Sequence, residues 1–152
     1  MQTRYFALIF GIVYLLVGIA GFIPGLITPH TDATPNLTVD TLSGYLFGLF
    51  PVNILHTLVH LLVGLWGVVA YRSFSSSRTF AQTVAILFAV LTIMGLIPVL
   101  NTTFGLIPLF GHDIWLHALT ALIAGYFGFV APWSERARFS EVEGDDYEAQ
   151  AR

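Results

Sequence analysis

Apolar residues dominate this chain in four long runs that contain no Asp, Glu, Lys or Arg. The runs cover residues 5–31, 41–71, 79–112 and 114–134. Each run exceeds the roughly 20 residues that a helix needs to cross the hydrocarbon core of a bilayer. Helices are expected because lipid satisfies no backbone amide, and the runs are too long and too uniform for barrel strands. The pattern predicts transmembrane helices near 5–26, 51–71, 80–99 and 113–132.

Composition agrees with this pattern. The 152 residues are 56% hydrophobic and only 10% charged, whereas soluble domains carry about 25% charged residues. The mean hydropathy is +0.79. We therefore predict an all-α, four-transmembrane-helix bundle in residues 1–133, followed by an acidic and disordered cytoplasmic tail at 134–152.

Several classes of function are excluded or disfavoured by residue types that the chain lacks. It contains no cysteine, which excludes disulfides, cysteine zinc sites, iron–sulfur clusters and thiol catalysis. It contains no lysine, which excludes Schiff-base chemistry, including attachment of retinal. A net charge of −3 disfavours nucleic acid as a partner. No hydrolase, zinc-protease, phosphate-loop or dinucleotide motif occurs, which favours a non-enzymatic role.

The arginines predict how the chain is oriented. The two connections at 27–50 and 100–112 contain no Lys or Arg, and the arginines occupy the remaining non-helical segments: Arg4, Arg72, Arg78, Arg136, Arg138 and Arg152. By the positive-inside rule, both termini should be cytoplasmic. A bundle of four helices is thin, so we expect a homo-oligomer or a subunit of a larger membrane complex, surrounded by the lipid bilayer.

Matched landmarks in the two halves of the chain predict an internal duplication. The pairs are Gly-x-Ile-Pro at 21–24 and 95–98, Phe-Gly-Leu-x-Pro at 47–51 and 104–108, and a His followed by two Gly at 56, 64, 67 and at 117, 125, 128. The predicted repeats are two parallel helical hairpins, at about 5–71 and 80–132. Parallel repeats of this kind commonly hold a functional site at their interface. The apolar connections at 44–50 and 102–111 should lie at the outer interface or enter the mouth of the bundle.

Polar residues within the predicted spans are the main chemical lead, because such residues are expensive in lipid. They are Asn53, His56 and His60 in the second span, and Asp113 and His117 in the fourth. His56 and His60 are four residues apart and share a helix face, and Asp113 and His117 repeat that spacing.

Three interpretations of these residues remain open. They can hydrogen-bond across the bundle and serve packing alone. They can bind a divalent metal through His56, His60, His117 and Asp113, or a haem b through His56 and His117 as axial ligands. They can also serve transport, or the binding of a quinone or pigment, with His60 or His117 donating a proton or a hydrogen bond. Asp113 by itself is also a candidate cap for the fourth helix.

The segment LFPVNILHTLVHLLVGLWG at 49–67, with GIAGFIPG at 18–25, resembles a known family. This is an uncharacterised bacterial group of small four-helix membrane proteins, with cyanobacterial and actinobacterial members, known as a domain of unknown function. The resemblance covers about residues 5–131 and implies a plasma or thylakoid membrane location. It also implies an accessory subunit of a photosynthetic or respiratory complex as one role, and it assigns no catalytic residue.

Overall fold

The computed structural model describes residues 2–30 and 35–131. This part of the chain contains four α-helices: α1 (Gln2–Ala20), α2 (Ile54–Ala70), α3 (Phe74–Leu96) and α4 (His112–Gly125). The last helix continues into a π-helical turn at Tyr126–Val130. The predicted tail at 134–152 lies outside the described residues.

Three of the helical segments are long and apolar enough to cross a membrane. These are α1, α3 and the combined segment His112–Val130. The remaining helix, α2, is also apolar but has only 17 residues, which corresponds to about 25 Å of helix. The helices indicate a membrane protein, as the hydropathy pattern predicts.

The helix ends differ from the predicted ones because capping residues determine where a helix begins. Ser73 caps α3 by accepting a hydrogen bond from the Ser76 amide, so that α3 begins at Phe74 and not near residue 80. Asn53 caps α2 in the same way, and α2 begins at Ile54. Hydropathy marks the stretch that suits lipid, whereas a capping side chain satisfies the free amides of the first turn.

A small sheet corrects the all-α prediction. Its strands are β1 (Ile27–Thr28), β2 (Gly44–Leu46) and β3 (Phe50–Val52), antiparallel in the order β1-β2-β3. Ile27 pairs with Leu46, and Tyr45 pairs with Pro51. Proline is tolerated there because β3 is an edge strand. Hydropathy does not separate these strands from the helices, since apolar residues fill both.

The two Phe-Gly-Leu segments both turn through a Phe and a Gly with positive φ angles. Phe47 and Gly48 have φ angles of 55° and 71°, and Phe104 and Gly105 have φ angles of 59° and 85°. The amide of the following leucine closes each turn: Leu49 donates to Leu46 O at 3.1 Å, and Leu106 donates to Thr103 O at 3.3 Å. The two segments therefore share these two φ angles and one hydrogen bond, although Thr103 before the second also has a positive φ of 49° and Leu46 before the first ends β2. Duplication of the whole chain stays a prediction.

Close contact between α1 and α2 depends on glycine. A Cβ on Gly64 would lie 2.5 Å from the amide nitrogen of Leu15, and a Cβ on Gly67 would lie 2.8 Å from the carbonyl oxygen of Ala7. Beside this contact lies an aromatic core that includes Phe6, Phe80 and Phe88. The most extensive packing joins α1 to α2 and α3 to α4.

The two ends of the bundle differ in chemistry. At the arginine end, Arg4 Nε donates to Tyr71 O at 2.8 Å, and Arg78 Nε donates to Gly128 O at 3.3 Å. The sheet end carries β1–β3 together with the segment 97–111, whose Leu109 side chain is buried, as are Leu46 and Val52 of the sheet. The side of the membrane that each end faces stays a prediction.

Candidate metal centre

Asn53 connects three segments at the sheet end. Its side-chain oxygen, Oδ1, accepts a hydrogen bond from the backbone N–H of His56 at 2.9 Å. Its side-chain nitrogen, Nδ2, donates to Val39 O at 2.8 Å and to Leu106 O at 2.6 Å. The side chain is fully buried. Because these three bonds involve both ends of the amide, Asn53 holds the loops against the start of α2.

His56 lies in the first turn of α2 and is 4% exposed. Its Nδ1 lies 3.1 Å from the carbonyl oxygen of Pro51. A carbonyl only accepts, so the proton lies on Nδ1 and the Nε2 lone pair is left for a ligand. Metal-binding histidines commonly donate their other N–H to a backbone carbonyl in this way.

Asp113 lies in the first turn of α4 and is 3% exposed. Its Oδ2 is 3.7 Å from His56 Nδ1 and has no hydrogen-bond partner. The N-cap position of α4 is Gly111, and no side chain caps this helix. The capping role considered for Asp113 is therefore wrong, and its carboxylate is directed to α2.

His117 follows Asp113 by four residues and is 3% exposed. Its Nδ1 also has no hydrogen-bond partner. The ring of Phe88 on α3 meets the His117 ring edge to face, with centroids 5.0 Å apart. One ligand atom each from His56, Asp113 and His117 lie within 4.8 Å of one another.

His60 lies beside this group. Its ring stacks on the His56 ring at 4.5 Å and meets the Tyr14 ring edge to face at 5.2 Å. It does not belong to the three-residue group, and it is half-buried. The structure thus brings together four of the five predicted site residues, with Asn53 one turn away in a positioning role.

Two cavities flank the four side chains. The larger one, of about 280 Å³, lies between α2, α3 and the segment 97–111. The smaller one, of about 90 Å³, lies against α1 and the sheet, and its walls include Asp113 and Tyr14. His60 and His117 line both cavities.

Comparison with known protein families identifies the family to which this chain belongs. The model of a domain of unknown function, DUF4383, matches residues 4–130. The chain belongs to this family. No curated protein and no solved structure matches it. Membership confirms the expected resemblance to an uncharacterised family.

The donor set of this DUF4383 protein suits a divalent first-row metal ion. Two imidazoles and one carboxylate are typical of catalytic zinc and non-haem iron sites, which keep further coordination positions open. Ligand atoms around a tetrahedral ion at about 2.1 Å lie roughly 3.4 Å apart. The observed spread of up to 4.8 Å is therefore wider than in a bound site, and binding would require these side chains to move closer together.

Two contributors to the DUF4383 site have no sequence signal of their own. Pro51 contributes only its carbonyl oxygen, and Phe88 is one of several phenylalanines in α3 and the other helices. A backbone oxygen leaves no trace in residue identity, and an apolar ring in an apolar helix fits lipid equally well. Only the contacts between distant segments identify them.

Proposed function

We propose that this protein is an integral membrane protein that binds one divalent first-row transition metal ion through His56, Asp113 and His117. The observation that carries the proposal is the convergence of three buried donors from α2 and α4 within 4.8 Å. Two of their atoms, Asp113 Oδ2 and His117 Nδ1, have no hydrogen-bond partner. A metal ion supplies what both atoms lack.

The energetic argument favours a ligand over packing alone. If these side chains served only packing, their polar atoms would be expected to pair with one another. A buried polar atom without a partner costs about 1–3 kcal/mol, and buried charges in proteins are paired or coordinate metals. Within residues 2–30 and 35–131, the contact found for the Asp113 carboxylate is the 3.7 Å approach to His56 Nδ1, which is neutral when Nε2 carries no proton.

A haem is less well supported than a metal ion. The ring centroids of His56 and His117 are 6.2 Å apart. However, the His60 ring is stacked on the His56 ring, and Asp113 Oδ2 lies 3.7 Å from His56 Nδ1. A porphyrin plane between the two imidazoles would have to displace these neighbours. The adjoining cavities of about 280 and 90 Å³ are also smaller than the roughly 300–1,000 Å³ typical of pockets for larger ligands.

For the membrane arrangement we propose four crossings with both termini in the cytoplasm. The contact of Arg4 with Tyr71 and Arg72, and that of Arg78 with Gly128, support a common side for the segments before α1 and after α2. The lack of Lys and Arg in 27–50 and 100–112 supports the opposite side for the sheet end. We also propose that the protein self-associates or acts as an accessory subunit of a larger membrane complex, because a bundle of four helices is thin.

Metal titration in mild detergent tests the metal centre. Co²⁺ is added to metal-free protein, its visible absorption reports the ligands, and Zn²⁺ is then added as a competitor. We expect one Co²⁺ per chain, displaced by Zn²⁺, and an affinity reduced by roughly tenfold or more in His117→Gln. The same spectrum would show the intense band of a haem if one co-purified.

The matched control is His112→Gln, which alters the exposed histidine beside Asp113. This variant should bind Co²⁺ as the unchanged protein does, and size-exclusion chromatography should show both variants folded. Absence of Co²⁺ and Zn²⁺ binding in the folded protein would overturn the proposal. Equal affinity in His117→Gln and the unchanged protein would overturn it too, as would a co-purified haem.

A further inference from the structure

The larger cavity borders the proposed metal centre, and three histidines of the site line one side of it. These are His56, His60 and His117, with Thr103 nearby. The remaining walls are apolar side chains from α2, α3 and the segment 97–111: Val59, Leu87, Phe88, Leu91, Ile107 and Leu109. Three histidines thus contribute to a cavity whose surface is almost entirely apolar.

The position of the cavity favours entry from the bilayer. It lies between α2 and α3, which touch at few positions, whereas α1 with α2 and α3 with α4 pack extensively. Leu87 is one of its lining residues and is 40% exposed on the outside of the bundle. The gap between α2 and α3 is thus the route by which a molecule dissolved in lipid would reach the cavity.

Its volume and lining define the class of molecule that fits. A cavity of roughly 150 Å³ lined by Leu, Ile and Phe accommodates benzene, so about 280 Å³ accommodates one ring with substituents. No carboxylate or guanidinium is among its lining residues. Because an unpaired charge is costly in such surroundings, the metal-free cavity should favour a neutral ligand over a charged one.

We infer that this cavity binds a neutral single-ring molecule bearing a hydroxyl or carbonyl oxygen, such as a phenol or quinone, taken up laterally from the bilayer. The ring lies among the leucines and Phe88, and the oxygen faces His56, His60 and His117. This inference rests on the proposed function in one respect: the oxygen reaches an open coordination position, which a metal held by three protein ligands retains.

Binding of 4-methylphenol tests the inference, with 4-methylbenzoate as a charged molecule built on the same ring. We expect saturable binding of 4-methylphenol to the metal-free protein, with 4-methylbenzoate weaker by roughly tenfold or more, and a change in the Co²⁺ spectrum when 4-methylphenol is added to the Co²⁺-loaded protein. Leu91→Trp fills the cavity from α3 and Val59→Phe fills it from α2. Each should weaken 4-methylphenol binding by roughly tenfold while Co²⁺ stays bound.

Ile86→Trp is the matched control, because Ile86 adjoins Leu87 but is 60% exposed and does not line the cavity. This variant should bind 4-methylphenol normally. The inference is overturned if both cavity-filling variants bind the phenol as well as the control does. It is also overturned if 4-methylbenzoate binds the metal-free protein equally well.

The outcomes separate this inference from the metal centre. Protein that takes up Co²⁺ but binds no 4-methylphenol retains the metal site and refutes the ligand. Protein that takes up no Co²⁺, yet loses 4-methylphenol binding in Leu91→Trp and Val59→Phe but not in Ile86→Trp, supports the cavity and refutes the metal.

Discussion

His56 Nδ1 on α2 and Asp113 Oδ2 on α4 lie 3.7 Å apart in the interior of the bundle. The same Nδ1 donates to Pro51 O at 3.1 Å, a stronger contact by distance, so that the carboxylate oxygen remains without a hydrogen bond. The two side chains thus approach each other across the bundle without a hydrogen bond, and Asp113 Oδ2 remains an acceptor free for a cation.

Replacing Asp113 by Asn should change stability in opposite directions without and with metal. Without metal, Asp113→Asn removes a buried carboxylate that lacks a hydrogen bond at Oδ2, so the variant should be at least as stable as the unchanged protein. With Zn²⁺ at about 100 times its Kd, the unchanged protein should gain roughly 2.7 kcal/mol, and the variant should gain little. Thermal unfolding in detergent, with and without Zn²⁺, measures both. His112→Gln should keep the Zn²⁺-dependent rise, and an equal rise in Asp113→Asn would contradict the ligand role.

Loss of the Asn53 side chain should destabilise the sheet end strongly. Asn53→Ala removes the cap of α2 and leaves Val39 O and Leu106 O without this donor. A cap contributes about 0.5–2 kcal/mol, and each buried group left unpaired costs about 1–3 kcal/mol. Ser73→Ala removes a cap that is exposed, so it is the matched control. The two unfolding temperatures should differ, with Asn53→Ala clearly lower. Equal temperatures would show that the loop contacts add nothing.

Adding a methyl group at Gly64 should force α1 and α2 apart. Its Cβ would lie 2.5 Å from Leu15 N and 2.8 Å from Gly11 O, and backbone atoms cannot rotate out of the way. Gly64→Ala should therefore cost roughly 1–3 kcal/mol, as overpacking typically does. Gly25→Ala is the control, because nothing lies within 4 Å of a Cβ there. The measurement is thermal unfolding of both variants in the same detergent, and an unchanged Gly64→Ala would refute the close packing.

Single cysteines should report the orientation cleanly, since the natural chain has none. Asn36→Cys lies at an exposed position of the segment next to the sheet, and Ser76→Cys lies at an exposed position near Arg72 and Arg78. In intact cells, a membrane-impermeant maleimide should label position 36 and leave position 76 unlabelled until the membrane is opened. The reverse pattern would place the termini outside.

Much of the architecture is predictable from sequence because membrane helices leave a local record. Runs without charge mark α1, α3 and α4, and the four-residue spacing of His56 and His60 predicts their stacking on one face. The sheet is not predictable in the same way. The pairing of Ile27 with Leu46 joins residues far apart in the chain, and strands of two or three residues have no detectable period.

The sequence by itself determined that the chain is a helical membrane protein, and it identified five polar residues for the site. Only the tertiary structure decided their separate roles: Asn53 bonds to three backbone groups, whereas His56, Asp113 and His117 converge. The physical reason is that hydropathy and helical spacing are properties of neighbouring residues. The approach of Asp113 to His56, and the cavity beside them, depend on how α2 and α4 pack against their neighbours.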